Sequence, residues 1–268
     1  MKNLKNIFIL IVVLLIFLVI WTQVFIKNTV SYNDTSSYVT LIKGKWLINT
    51  KSLEVDIKEK LSVWDTIETI WKDSLSVIEW WDWSITRLWW DTKLIIKEEN
   101  ILSDLTEINI SVELLSWKIW SNVVSFLWEK SYFKQYFNDI EAWVRWTTFS
   151  VDLENNYVYS LDHDVTLITK ENETFTVHWW EAFSLKNFSL IDIKEFFSKV
   201  IDKSFEELNN KLDLEYISVL KANLNEKIEK NNPFSYILWL FSKKHKALYE
   251  IRKYEDFVKT RKLLASLN

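Results

Sequence analysis

The chain has 268 residues, of which 49% are hydrophobic and 26% are charged, so it can form one large domain or two small ones and is globular in composition. It contains no cysteine, which excludes a disulfide framework, a thiol nucleophile and any cysteine-based metal site. A net charge of −4, with no aromatic-basic recognition motif, argues against the common classes of nucleic-acid-binding module.

The first predicted element is a membrane-spanning helix at residues 7–26. This segment is apolar except for Thr22 and Gln23, and its length at about 1.5 Å per residue crosses a hydrocarbon core of about 30 Å. Lysines before it tend to stay in the cytoplasm, which makes residues 1–6 a short cytoplasmic tail. No small-residue cleavage pattern follows, so we predict an uncleaved anchor and a linker at residues 27–37. The expected location is therefore the cell membrane, with a single span and most of the chain outside the cytoplasm.

Residues 38–188 show the period-two alternation that is typical of β-strands. Ser74–Ile78, Ser84–Leu88 and Thr174–Val177 are examples, each with polar and apolar side chains in turn. We therefore predict that this region forms a β domain.

Seventeen tryptophans and one glycine invert the usual composition, because average usage predicts about 19 glycines for this length. The tryptophans stand at turn positions, as in residues 80–84 and 89–91, where glycine adopts φ > 0 without a Cβ penalty. Our hypothesis is that the source organism reads the UGA codon as glycine, and that translation of UGA as tryptophan produced this sequence. With glycine at these positions a turn falls about every ten residues, which predicts an all-β sandwich, barrel or roll. The alternative is a genuinely tryptophan-rich protein.

Two blocks in the first half of the β region carry a recognisable motif. Trp64, Asp65 and Thr66 match a glycine-aspartate turn before a threonine, provided that Trp64 is glycine. Further on, Asp82 and Ser84 match an aspartate-glycine-serine hairpin that joins two strands. Both blocks predict tight turns.

The most specific block is an alanine-x-valine-arginine-glycine-threonine motif followed by a phenylalanine. Its match requires glycine at Trp143 and Trp146 and no other change. The matching residues are Ala142, Val144, Arg145, Thr147 and Phe149.

These blocks resemble the FecR-like domain family, and the resemblance covers roughly residues 38–185. It implies a β domain that lies outside the cytoplasmic membrane. The resemblance marks the following motif residues, for which we expect structural roles: Asp65, Thr66, Asp82, Ser84, Ala142, Val144, Arg145, Thr147 and Phe149.

The resemblance also sorts the tryptophans. One family strand has a glycine shortly before a true tryptophan, so we expect glycine at Trp117 and a genuine tryptophan at Trp120. Trp21, Trp46 and Trp239 stay undecided. The expected glycine positions are Trp64, Trp80, Trp81, Trp83, Trp89, Trp90, Trp117, Trp143, Trp146, Trp179 and Trp180.

Arg145 has two candidate roles. Its guanidinium carries five N–H donors, which can bind a carboxylate or tie several backbone carbonyls together. The structural role is favoured, because the expected glycines on either side allow close backbone packing.

The sequence shows no catalytic constellation. His163, His178 and His245 lie apart and lack the spacing of common metal sites. We find no serine elbow, phosphate loop or metal motif. The prediction is therefore that the protein is not an enzyme and holds no cofactor or metal.

Residues 189–268 change to a helical period. Apolar residues recur every three or four positions over 193–208 and again over 214–228. Asp213 and Asn232 are residue types that favour helix starts. We predict a small helical bundle or hairpin.

The resemblance implies a regulatory or binding module rather than an enzyme. In the regulator that names the family, a cytoplasmic segment contacts a sigma factor, but residues 1–6 are too short to form such a domain. We therefore predict an anchored module that binds a protein or a cell-surface polymer, with signal sensing as one such role, and that does not regulate a sigma factor directly.

The alternative function takes the tryptophans as genuine. Adjacent exposed indoles stack on the apolar faces of sugars, so a tryptophan-rich sheet predicts a cell-surface glycan-binding module. Its platform would consist of Trp80, Trp81, Trp83, Trp89 and Trp90.

Overall fold

The computed structural model describes residues 37–53, 58–82, 84–101, 108–123, 131–145, 147–179, 181–192, 196 and 203–229. The predicted membrane helix at 7–26, nearly all of its linker and the helical region predicted beyond residue 229 lie outside these residues. Within the described part, no helix combines the length and the apolar character that a bilayer span requires.

Sixteen strands and one helix make up the described part of the chain. The first eight strands are β1 Tyr38–Ile48, β2 Lys51–Leu53, β3 Lys58–Lys60, β4 Thr66–Glu79, β5 Ile85–Leu88, β6 Lys93–Ile101, β7 Ile108–Ser116 and β8 Lys118–Asn122. The others are β9 Tyr132–Phe137, β10 Ile140–Val144, β11 Thr148–Asp152, β12 Tyr157–Asp162, β13 Val165–Thr169, β14 Thr174–Val177, β15 Glu181–Ser184 and β16 Ser189–Asp192. The helix is α1 Lys203–Glu229.

All of these strands belong to one sheet. Its order is β14-β13-β10-β9-β7-β6-β4-β5-β8-β11-β12-β15-β16, with β1 joined to β2, β3 and β4 beside this path. The pairing of β7 with β9 is parallel, whereas β10 with β13 and β5 with β8 are antiparallel like their neighbours. β14 also comes close to β15, so the sheet curls toward a barrel or sandwich. The predicted mainly β class with a C-terminal helix is confirmed.

The close pairing of β1 with β4 requires the one glycine of the chain. The pairing register shifts between Leu41 and Lys43 and again between Lys43 and Lys45, across Gly44, whose φ is 92°. A Cβ at Gly44 would lie 2.1 Å from Ser74 Oγ and 2.6 Å from Ser74 Cα, a space that no side chain can share. Glycine therefore stands where the backbone needs it.

The inner core follows from the alternation of the strands. β9 alternates half-buried and buried side chains along its length, as a strand with one face toward a core does. Val39, Ile67, Ile78, Phe149 and Val158 are all fully buried in this cluster. Aliphatic and phenylalanine side chains, with the indoles of Trp46 and Trp80, thus fill the inside of the curled sheet.

The central strands are buried on their outer face as well. Every residue of β5, β8 and β11 is buried, which a strand with one solvated face would not show. A second cluster on this outer face includes Leu75, Trp120 and Tyr159 from the sheet and Phe205 from α1. Helix α1 therefore packs against the outside of the β domain.

The C-terminal elements differ from the sequence prediction in two places. Ser189–Asp192 was expected to be helical, but it pairs with β15 and completes the edge of the sheet as β16. Asp213 was expected to begin a second helix, but α1 runs through it without a break. The carboxylate of Asp213 accepts hydrogen bonds from the sheet instead of capping a helix start.

Candidate functional site

The first motif block forms a tight turn that its own side chains close. Asp65 accepts hydrogen bonds from Ser62 N at 2.8 Å and from Asn49 Nδ2 at 2.6 Å. Asn49 Oδ1 in turn accepts from Thr66 N at 2.8 Å. Trp64, at the glycine position of the motif, has φ 75°. The hydrogen bonds of Asp65 and Thr66 in this turn are therefore made within the β domain, as the expected structural role requires.

The second block is the hairpin between β4 and β5. Ser84 donates to Asp82 through both its backbone N and its Oγ, each at 2.9 Å. Burial raises the pKa of Asp82 to about 6, although the bonds from Ser84 oppose this rise. Burial likewise raises the pKa of Glu99, which accepts a hydrogen bond from Ser37 Oγ and whose negative charge adds to the rise at Asp82. The hairpin therefore holds a carboxyl group that titrates well above its ordinary range.

The third block runs from β10 into β11. Ala142, Val144 and Phe149 are buried in the inner core. Thr147 pairs with Val123 through backbone hydrogen bonds of 2.9 and 3.1 Å, and its Oγ1 donates to the carbonyl of Arg145 at 2.9 Å.

Arg145 itself lies at the turn between these strands. Its side chain is exposed, and its backbone carbonyl accepts the hydrogen bond from Thr147. The two candidate roles of Arg145 differ in what they require of its guanidinium. Ligand binding requires an accessible guanidinium, whereas a structural role requires one that is hydrogen-bonded within the domain.

Three tryptophans adopt a backbone conformation that favours glycine. Their φ angles are 75° at Trp64, 84° at Trp71 and 66° at Trp117. A bulky aromatic residue is strained there, because its Cβ approaches the neighbouring carbonyl. Trp64 and Trp117 belong to the expected glycine set, whereas Trp71 does not. Sequence reasoning missed Trp71 because it stands inside a strand pattern and outside any motif block.

The rest of that set divides differently. The other members that the structure describes have ordinary backbone angles, so their backbone alone does not require glycine. These are Trp80, Trp81, Trp89, Trp90, Trp143 and Trp179. The remaining members, Trp83, Trp146 and Trp180, lie outside the described residues, as do Trp21 and Trp239.

Buried indoles differ in whether their N–H group finds an acceptor. Trp120 Nε1 donates to Asp213 Oδ2 at 3.2 Å, and Trp80 Nε1 donates to Thr86 Oγ1 at 2.9 Å. Within the described residues, the buried Nε1 atoms of Trp46, Trp89 and Trp117 have no acceptor. A buried donor without a partner costs about 1–3 kcal/mol. By this measure Trp120 and Trp80 are adapted to their places, whereas Trp46, Trp89 and Trp117 are not. The result agrees with a genuine tryptophan at Trp120 and with glycine at Trp89 and Trp117, but it argues against the glycine expected at Trp80.

A charged cluster joins α1 to the sheet and has no counterpart in the motif blocks. The strand register places Arg87 of β5 beside Trp120 of β8. Arg87 Nη1 lies 2.5 Å from Asp213 Oδ1, with side-chain exposures of 2% and 0%. The same nitrogen donates to Asn209 Oδ1 at 3.3 Å, and Asn209 Nδ2 donates to the carbonyl of Phe205 at 2.8 Å. One carboxylate thus binds both a guanidinium and an indole at the centre of the helix–sheet contact.

A second buried ion pair lies beside the first. Lys118 Nζ is 2.7 Å from Asp152 Oδ2 and 5.0 Å from the centre of the Phe205 ring. Phe205 also packs edge-on against Trp89 and Trp120, at 4.9 and 5.9 Å between ring centres. The outer face of the sheet therefore presents two cations and an aromatic pocket to the helix.

Sequence reasoning missed this helix–sheet cluster. One signal was available in the sequence. Asp213 lies on the same helical face as Phe205 and Ile217, and a charged residue on an apolar face needs a buried partner. The identity of that partner depends on a contact between residues 126 positions apart. In the part of the chain that the structure describes, no group of three possible metal ligands forms.

Comparisons with known proteins give only distant similarity. No model of a protein family matches the chain, and no curated protein matches it. Two crystal structures described as those of a "putative anti-sigma factor from Parabacteroides distasonis ATCC 8503" are similar in part. One has a TM-score of 0.35 and 13% identity over 46% of this chain, and the other 0.36 and 14% over 47%. The chain spans 57% of each of those proteins, and at these scores the likeness carries no argument.

Proposed function

We propose that this protein is a membrane-anchored, extracytoplasmic FecR-like module that binds a protein or a cell-surface polymer. In this proposal the β domain is the binding part and residues 7–26 are the anchor. The module senses or relays a signal by binding rather than by catalysis.

The observation that carries the proposal is the first motif turn. The motif requires glycine directly before Asp65, and the backbone at that position has φ 75° with tryptophan in place. The hydrogen bonds of Asp65 to Ser62 and Asn49 close the same turn. The sequence motif and the backbone angle thus agree on one residue, which supports both the FecR-like family and glycine at Trp64.

Site-specific labelling tests the anchor and its orientation. Because the chain has no cysteine, Lys170→Cys introduces a single thiol at a side chain that is 71% exposed. Lys5→Cys places the thiol in the predicted cytoplasmic tail and serves as the matched control. A maleimide that cannot cross membranes should label position 170 on intact cells and position 5 only after lysis. Labelling of both positions only after lysis would contradict the extracytoplasmic location.

Capture of a ligand from the cell surface tests the binding role. The protein used is the full chain with glycine in place of tryptophan at the motif positions. We expect the chain with glycine at the motif positions to capture a cell-envelope protein or polymer from the surface of its own host after chemical cross-linking. Arg145→Glu decides between the two roles of this exposed side chain, because reduced capture by the folded variant assigns it to ligand binding and unchanged capture assigns it to a structural role. Equal capture by a chain unfolded with urea would contradict specific binding.

A second candidate function rests on one aromatic surface. Trp143 and Tyr132 lie 5.7 Å apart between ring centres at an angle of 36°, and Lys134 Nζ lies 3.8 Å from the centre of the Trp143 ring. This arrangement offers a stacking surface for a sugar if Trp143 is genuine. Trp80 and Trp89 of the predicted platform are buried and present no such face. Binding of soluble cell-wall glycans that is lost in Trp143→Ala but kept in Trp64→Ala would favour this candidate.

A further inference from the structure

We infer that the outer face of β5, β8 and β11 is a helix-binding face that α1 covers, and that an amphipathic helix of a partner protein with a central carboxylate can replace α1. The inference names a partner class for the protein-binding role proposed above and rests on that role. It also assigns a function to the buried ion pairs, which the motif residues leave unexplained.

The composition of the covered face is the first argument. Trp120 and Tyr159 provide a broad aromatic surface, and Arg87 and Lys118 stand within it. Removal of α1 would expose this apolar surface to water together with a guanidinium. An apolar patch that surrounds a cation is suited to an occupant with an apolar stripe and an acidic residue.

Helix α1 meets this description through a single stripe. Phe205, Asn209, Asp213 and Ile217 recur at intervals of four residues, and all four are buried. Such an interval keeps side chains on one face of a helix. The contacts described above for Phe205, Asn209 and Asp213 all reach the sheet or support that stripe. The face therefore contacts one stripe of residues on the helix, with an aspartate near the middle of that stripe.

The helix–sheet contact contains buried polar groups that neither the helix nor the sheet satisfies. Within the described residues, Asn210 Oδ1 on α1 and Thr148 Oγ1 on β11 are buried without a hydrogen-bond partner. Asn209, Asn210 and Asp213 also have low intrinsic helix propensity. A buried ion pair specifies which partner fits more than it strengthens the contact, because both charges lose their hydration. A contact of this kind can open while the inner core stays closed.

The charge of the face restricts what can replace α1. A basic or purely apolar helix would leave Arg87 buried without a counter-charge, which is strongly unfavourable. A helix with Asp or Glu two turns after an aromatic residue reproduces the positions of Phe205 and Asp213. The partner is therefore an acidic amphipathic helix.

Native-state hydrogen exchange of the full chain tests whether α1 opens on its own. We expect the amides of residues 205–217 to exchange at least about tenfold faster than those of β8, through an opening that spares the sheet. Asp213→Asn should accelerate exchange in α1 by roughly a further tenfold or more and leave β8 unchanged. Asp139→Asn, at an exposed turn, is the matched control and should change neither. Equal protection of α1 and β8, lost together, would overturn the inference.

A labelled peptide of residues 203–219 tests replacement by a second helix. In the natural chain α1 is present at an effective concentration on the order of millimolar, so the peptide at micromolar concentration should not bind. In the full chain with Asp213→Arg, repulsion from Arg87 should free the face and allow saturable binding. The peptide that itself carries Asp213→Arg should not bind.

Two further measurements keep the outcome clear. Protection of the β8 amides against hydrogen exchange in the Asp213→Arg chain shows that its sheet is folded. A second variant, which combines Phe205→Ala with Ile217→Ala, frees the face without a change of charge. If both variants are folded and neither binds the peptide, the inference is wrong. Maleimide labelling at position 170 does not depend on this face, so its result separates failure of the helix-binding inference from failure of the proposed location.

Discussion

The inner and outer faces of the central strands are built on different principles. Inside the curled sheet, residues such as Ile78, Phe149 and Val158 are packed without charge. Outside, β5 and β8 place Arg87 and Lys118 beneath α1, with aspartates from α1 and β11 as counter-charges. The inner face stabilises the fold through apolar burial, whereas the outer face selects which helix can cover it.

The largest expected effect is on the inner face. Phe149→Ala removes a fully buried ring, and we expect a loss of about 3–5 kcal/mol in the free energy of unfolding. Urea unfolding followed by circular dichroism measures this loss. Val219→Ala, on the exposed side of α1, is the control and should change stability by less than about 0.5 kcal/mol. A small effect of Phe149→Ala would mean that the inner core is not the main source of stability.

The docking of α1 on the outer face should depend on the balance of charge between Arg87 and Asp213 rather than on the volume of the side chains. Arg87→Met leaves Asp213 buried without its counter-charge, so docking of α1 should weaken by about 3 kcal/mol. Arg87→Met combined with Asp213→Leu removes both charges and should restore most of that loss. Hydrogen exchange of α1 amides measures both variants. If the double variant is as damaging as the single one, the ion pair itself stabilises the contact and the comparison fails.

The two faces also differ in how far the sequence predicted them. Period-two alternation identified the strands that line the inner face, because each strand reports its own buried side locally. The motif blocks likewise located the turns at Asp65 and Asp82. Asp213 was misread as a helix start, since aspartate favours that position and its distant partner leaves no local pattern. The edge strand β16 was missed for a related reason, because its pairing with β15 decides its conformation.

A pH dependence should come from the hairpin at the end of β4. The pKa of Asp82 is raised to about 6 in the folded state by burial, so the folded chain holds its proton more tightly than the unfolded chain does. The stabilisation from protonated Asp82 is therefore complete below about pH 4 and is lost as the pH rises through about 6, by about 3 kcal/mol. Urea unfolding between pH 4 and 7 measures this slope. Asp82→Asn should flatten the slope, and an unchanged slope would assign it to another group.

The smallest expected effect concerns a strained tryptophan. Trp71→Gly removes a bulky side chain at φ 84°, which should outweigh the loss of its contact with Lys45 Nζ at 4.1 Å from the ring centre. We expect a gain of about 0.5–1 kcal/mol in the free energy of unfolding. Trp120→Gly is the opposite case and should destabilise by about 3 kcal/mol or more, because its indole is fully buried and bonded to Asp213. Thermal unfolding of the two variants compares them, and a loss of stability in Trp71→Gly would argue that its indole belongs there.

The codons in the source DNA test the central claim most directly. That claim is that glycine occupies the motif turns of an extracytoplasmic FecR-like module. It predicts UGA at Trp64 and Trp117, with UGA also at Trp71, and UGG at Trp120, whose indole has an acceptor. UGG at all four positions would contradict the claim, remove the glycine of the first motif turn and leave aromatic glycan binding as the better account.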